Sequence, residues 1–163
     1  PLSFHAGFGV LLAVRSRNNV DAYPVSRTWM YLAQRVTGVV TFAFVSWHVA
    51  HLWVPQLVGT LGPHQMYSKL EEDLSTTSAG FPVMAALMMA GVGASSFHFA
   101  NGVWSFAVGW GLVRRRSRQS AVAAATVVLG VVLFVAGMDS VVYFATGTRM
   151  LRVHPAVPRE ARP

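Results

Sequence analysis

The chain has 163 residues, of which 53% are hydrophobic and only 12% charged, about half the charged fraction of an ordinary soluble domain. Its net charge of +7 sits in arginines between apolar stretches rather than in one soluble patch, which points to membrane orientation and away from nucleic acid. With no cysteine, disulfides, iron–sulfur ligation and thiolate chemistry within the chain are excluded.

In chain order, the first apolar segment is residues 1–14. As a helix it reaches about 20 Å, short of a hydrocarbon core of about 30 Å. It has neither the basic start nor the small-residue cleavage site of a signal peptide. The expectation is a truncated transmembrane helix, with a further helix upstream of the numbering. The loop RSRNNVDAYPVSRT follows, setting Arg15, Arg17 and Arg27 against Asp21. A second span covers 29–54, ends at Pro55, and has Arg35 as its one charge. The connection over 56–80 carries Lys69 and Glu71-Glu72-Asp73, expected as a solvated loop or short interfacial helix, with His64 in water.

A third span covers 81–113, opening at Phe81-Pro82, where proline is tolerated in the first turn. From Phe81 to Leu112 there is no Asp, Glu, Lys or Arg, a run longer than the roughly 20 residues that cross a bilayer. The cluster RRRSR at 114–118 ends it, and a fourth span covers 119–147. Asp139 falls near the outer end of that span, either exposed at the interface or buried on a proton path. A polar tail with His154, Pro155, Pro158 and Pro163 closes the chain. These elements make residues 1–163 a single-domain, all-α membrane protein, a transmembrane helix bundle of four spans. Arg15, Arg17, Arg27, Arg114, Arg115, Arg116 and Arg118 lie in loops on one side and Lys69 alone on the other. The positive-inside rule therefore makes the Arg-rich loops cytoplasmic. Arg149, Arg152, Arg159 and Arg162 in the tail count the other way, but terminal tails orient less strongly than short loops.

Three of the six histidines, His5, His48 and His98, lie one per span on consecutive spans. An ionisable residue at membrane depth is expensive and faces a bundle interior or a bound group. A single such histidine is readily explained as a neutral imidazole bonded to a neighbouring helix; three in series favour metal ligands. At about 1.5 Å per residue, His5 lies about 15 Å from Arg15, His98 about 24 Å from Arg114 and His48 about 31 Å from Arg27. Because the third span is long enough to overhang the bilayer, the expectation is that His5 and His98 share an inner layer and His48 lies in an outer one.

On the helical face of His98 stand Gly91, Ala94, Ser95, Asn101, Gly102 and Ser105. Gly9 stands one turn from His5. A face cleared of bulk leaves room for something flat. A small-residue packing stripe would explain the glycines but not the histidines; a haem held by imidazoles explains both. With two histidines on each iron no position stays open, so such a haem carries electrons and does not bind oxygen.

The strings QRVTGVVTFAFVSWHV (34–49) and FHFANGVWSFAVGWG (97–111) resemble the cytochrome b subunit of type B succinate dehydrogenases and quinol:fumarate reductases. PLSFHAGFGVLLA with the SRNN loop resembles the family's second helix and the loop after it. The resemblance spans about residues 1–140. It implies a family of five transmembrane helices and two b haems, with histidine ligands on helices one to four. Position by position, His5, His48 and His98 match the ligands of the second, third and fourth helices. His5 and His98 then hold the proximal haem, and His48 the distal haem with a first-helix histidine this sequence lacks. The resemblance further implies flavoprotein and iron–sulfur subunits docked on the cytoplasmic face of a bacterial membrane. They oxidise succinate, and electrons pass through the haems to a quinone, usually menaquinone.

Arg35 has two readings, pairing with haem propionates or snorkelling to the interface. Trp29, Tyr31, Trp104 and Trp110 fit an aromatic belt, and Trp29 also suits a propionate. His51, one turn beyond His48, is either a quinone contact or an interfacial histidine. RRRSR orients the chain and suits acidic lipid headgroups or the iron–sulfur subunit. Against the electron-conducting anchor stand a haem-free membrane scaffold and a proton or solute pathway lined by the three span histidines.

Overall fold

The computed structural model describes residues 1–17, 19–62 and 64–151; His154 and the other tail residues from 152 onward lie outside them. The described residues form five helices: α1 Leu2–Arg15, α2 Ser26–Leu57, α3 Gln65–Ser75, α4 Val83–Gly109 and α5 Arg116–Thr146. Among the described residues the one β feature is an isolated bridge between Ser78 and Phe81. α2, α4 and α5 are long and apolar enough to cross a membrane. α1 is apolar but has 14 residues, about 21 Å of helix.

Pro55 does not end the second span. α2 runs through it to Leu57, because a proline in the last turn removes one N–H without breaking the turns already formed. The carbonyl of Pro55 then takes the backbone N–H groups of Thr60 and Leu61 and the hydroxyl of Thr60. The acidic run folds into α3, with Glu71 and Glu72 exposed and Asp73 half-buried. α5 starts inside the RRRSR cluster, and α4 closes before Gly111, whose φ of 71° suits a residue without a Cβ.

α4 is the centre of the bundle. It packs on α2 on one side and α5 on the other, α1 packs on α2, and α3 lies across α4 and α5. α4 accordingly buries Ala85, Met88, Gly91, Ser96, Ala100 and Asn101, whereas α2 buries Leu52 alone and α5 buries Thr126 and Val141. The α4–α5 seam is a close approach through small residues. A Cβ on Gly130 would sit 2.9 Å from Cβ of Ala100, and one on Gly137 2.5 Å from Val92. In lipid, where apolar burial gives helices no net attraction, such intimate contact is what holds them together. The outward side of α5 shows Val127, Val128, Val131 and Val132, side chains as apolar as the acyl chains they would meet. At the α3 end, Leu74, Ala85, Met88 and Val141 form the core, with Phe44 and Trp47 packed against it.

Candidate functional site

The structure brings His5 of α1 and His98 of α4 together, with ring centroids 6.3 Å apart and ring planes at 69°. Two imidazoles on opposite sides of one metal stand about 6.2 Å apart, from metal–nitrogen bonds of about 2.0 Å and about 1.1 Å from nitrogen to ring centre. The separation therefore fits a shared metal. His5 and His98, which depth along the helices put in one layer, are in edge-to-face ring contact.

His98 is also held from behind. Its Nδ1 lies 3.1 Å from the backbone carbonyl of Gln34 on α2. A carbonyl oxygen can only accept, so Nδ1 carries the hydrogen, and in the neutral ring Nε2 is left as the lone-pair nitrogen. Gln34 returns the contact, its Nε2 donating to the carbonyl of His98 at 3.1 Å. Asn101, one turn along α4, donates to Gln34 Oε1 at 2.7 Å. The ring closes on α2 at Gly38, where a Cβ would stand 2.9 Å from Cε1 and 3.2 Å from Nδ1. Sequence reasoning missed Gln34 and Gly38. Their signal is a spacing: Gln34, Gly38, Thr41 and His48 fall at helical intervals on one face of an otherwise apolar span.

The small residues singled out around His98 divide between two surroundings. The notch at Gly91 is filled by the ring of Phe44, and that at Gly102 faces the side-chain amide of Gln34. Ala94 is half-buried and Ser105 exposed. Gly9 on α1, next to His5, has nothing within 4 Å of where a Cβ would be.

Arg35 ties α2 to the end of α1, donating from Nη1 to the carbonyl and hydroxyl of Ser16 at 3.1 and 2.7 Å. Its guanidinium lies over Tyr31, 4.9 Å from the ring centre, while its Nε is buried without a hydrogen-bond partner. Trp29 is 54% exposed near the start of α2.

His48 follows Gly38 by ten residues, about 15 Å along the helix. Its Nδ1 is buried without a hydrogen-bond partner, and Phe44 stands 5.6 Å from its ring. An unmet polar atom at membrane depth is what a ligand would relieve. His51 stacks on Trp47 at 5.3 Å and donates from Nε2 to Asp73 Oδ2 at 2.8 Å. Lys69, one turn before Asp73, reaches the same oxygen at 3.2 Å. Burial pushes the Asp73 carboxyl up, but the hydrogen bonds from His51 and Lys69 and their charge outweigh it and hold it below the usual range. His51 is thus a hydrogen-bond partner of α3. Asp139 is half-buried, and its carboxylate caps the turn after α5 by accepting the N–H groups of Met150 and Leu151 at 2.6 and 2.8 Å.

Among the described residues no cluster of three or more His, Cys, Asp or Glu could hold a metal. A sequence model of the succinate dehydrogenase/fumarate reductase transmembrane subunit matches residues 17–137. The succinate dehydrogenase cytochrome b558 subunit of Bacillus subtilis (strain 168) is 35% identical over 144 residues, covering 88% of this chain and 67% of the relative. No solved structure matches significantly. An all-helical chain with three membrane-length helices, matched over most of its length by this family, belongs to the succinate dehydrogenase/fumarate reductase transmembrane subunits.

Proposed function

We propose that this chain is the haem b anchor of a succinate:quinone oxidoreductase in a bacterial cytoplasmic membrane, its Arg-rich loops facing the cytoplasm. On that face it docks the flavoprotein and iron–sulfur subunits that handle succinate, which this chain does not touch. Electrons arriving from the iron–sulfur subunit leave to a membrane quinone, menaquinone being the expected one.

The observation that carries this reading is the His5–His98 pair at 6.3 Å, with Nε2 of His98 kept unprotonated by the hydrogen bond at Nδ1. Bound between them, a b haem supplies a one-electron carrier with no coordination position left for oxygen. His5 and His98 would hold the proximal iron from two helices, and Gly9, one turn from His5, leaves that face of α1 clear. Arg35, whose buried Nε has no partner, and Trp29 are placed at the Arg-rich end where propionates would lie. His48 is the proposed ligand of a distal haem, and the count of one or two turns on whether a further helix supplies its second imidazole. His51, beyond His48 and next to Asp73, is the proposed quinone-side residue.

The test is the reduced-minus-oxidised visible spectrum of the complex purified from membranes. A low-spin b-type α band that His98→Ala removes in whole or large part supports the proposal. Absence of haem absorbance from the wild-type complex, or a spectrum unchanged in His98→Ala, overturns it.

A further inference from the structure

Three polar contacts and one missing side chain meet at the back of His98, none of them touching His5. We propose that Gln34, seconded by Asn101 and given clearance by Gly38, is the positioning residue that fixes the tautomer and ring orientation of the iron-ligating His98. This rests on His98 being an iron ligand.

The contacts form a closed cycle between two helices. The His98 ring donates to the backbone carbonyl of Gln34, and the Gln34 side chain donates to the backbone carbonyl of His98. Each residue thus binds the other's main chain with its side chain. Asn101 takes the remaining acceptor, Gln34 Oε1. The cycle constrains both the register of α2 against α4 and the rotation of the ring about its Cα–Cβ bond. It lies in two half-buried helix faces within an apolar bundle, where a carboxamide left without partners would be destabilising. The ring orientation that satisfies it directs the Nδ1–H at the carbonyl of Gln34 on α2.

Metal-bound histidines donate their second nitrogen in this way, and the partner raises the basicity of the ligating nitrogen and holds its plane. Here the acceptor is a main-chain carbonyl that no substitution can delete. The residues that place it are therefore the ones open to selection: Gln34 through its amide, and Gly38 through its lack of a Cβ. A methyl at position 38 would press on Cε1 and Nδ1 and turn the ring plane.

The experiment uses membranes holding the full complex with Gln34→Met, which keeps side-chain length and removes both polar ends, and Gly38→Ala. The readouts are haem midpoint potentials by redox titration and the ferric low-spin electron paramagnetic resonance signal, whose anisotropy follows the relative orientation of the axial imidazole planes. In Gln34→Met one b-type centre shifts to higher potential, because a less basic ligand stabilises the ferric iron less. Haem is retained about 10–100-fold less tightly. In Gly38→Ala the same centre changes anisotropy, and any centre ligated by His48 keeps its potential and signal.

Haem signals unmoved in position in both variants, at full level or reduced in parallel with the amount of subunit, make Gln34 a packing residue and overturn the proposal. Should Gln34→Met fail to accumulate, Asn101→Ala decides instead. It leaves the Gln34–His98 exchange in place but loosens it, so a smaller upward shift supports the proposal and no shift overturns it. A wild-type complex without haem sinks the underlying assignment, an outcome visible before any variant is made.

Discussion

The two imidazole layers of this bundle are built by opposite means. At the Arg-rich end His98 is surrounded by neutral amides, Gln34 and Asn101, and every contact joins α4 to α2. Toward the α3 end His48 leaves Nδ1 unmet, while one turn on His51 is drawn into an ionic group with Asp73 and Lys69. Neutral hydrogen bonds suit a place with no water to solvate charge, and ion pairs suit the edge of the membrane, where water and headgroups reach. The ring of the first layer is oriented by the protein alone, and the second has a polar atom in search of a partner.

The contrast can be attacked from several sides. The largest effect is expected from His98→Ala against His48→Ala in the purified complex: if the layers are separate, each removes its own b-type signal and spares the other's potential. Total loss of absorbance in both single variants would show one shared centre. Next is Gly91→Val, which drives a side chain into the ring of Phe44, which already fills the place of a Cβ there. It should lower stability by about 1–3 kcal/mol, read as an earlier thermal unfolding transition in detergent, and disturb His48 through Phe44 more than His98. Arg35→Gln, which loses the charge that grips Ser16, should loosen α1 and hence His5. Faster amide exchange across α1 with α4 unchanged is the result that supports this.

The smallest effect is expected at Asp73. Its carboxyl is held below the ordinary value of 3.8 in the folded chain, so its contribution to docking α3 is complete above that value. The contribution is lost as the pH falls from there through the depressed one. Asp73→Asn should remove about 0–1 kcal/mol, the scale of a partly exposed ion pair. Exchange in α3 would rise in the variant at neutral pH and converge with wild type in acid. A difference persisting at low pH would assign the effect to packing instead.

How much of this was legible in the sequence depended on whether one helix or two were needed to see it. Depth along single helices paired His5 with His98, because rise per residue is fixed and the arginines mark a common origin. The small residues around His98 were equally visible, but which notch is filled depends on the opposing helix. Phe44 takes Gly91 and Gln34 takes Gly102, through a register no single span encodes. His51 and Asp73 are 22 residues apart and meet only because the chain turns back after Pro55 into α3. Gln34 was passed over for a related reason: beside Arg35 it looks like one more polar residue near an interface, and only the facing turn of α4 gives its amide a task.

α4 carries different duties on its opposite sides. Gly91, His98 and Asn101 look toward α2, while Val92, Ser96 and Ala100 lie against Gly130 and Gly137 of α5. The helix acts as a partition between a wall that holds chemistry and a wall that only adheres. α5 is then the natural place to attach something foreign. A spin label or affinity handle on the outward valines of α5, such as Val128 or Val132, reports on lipid and assembly from across a helix diameter, and leaves the imidazoles undisturbed.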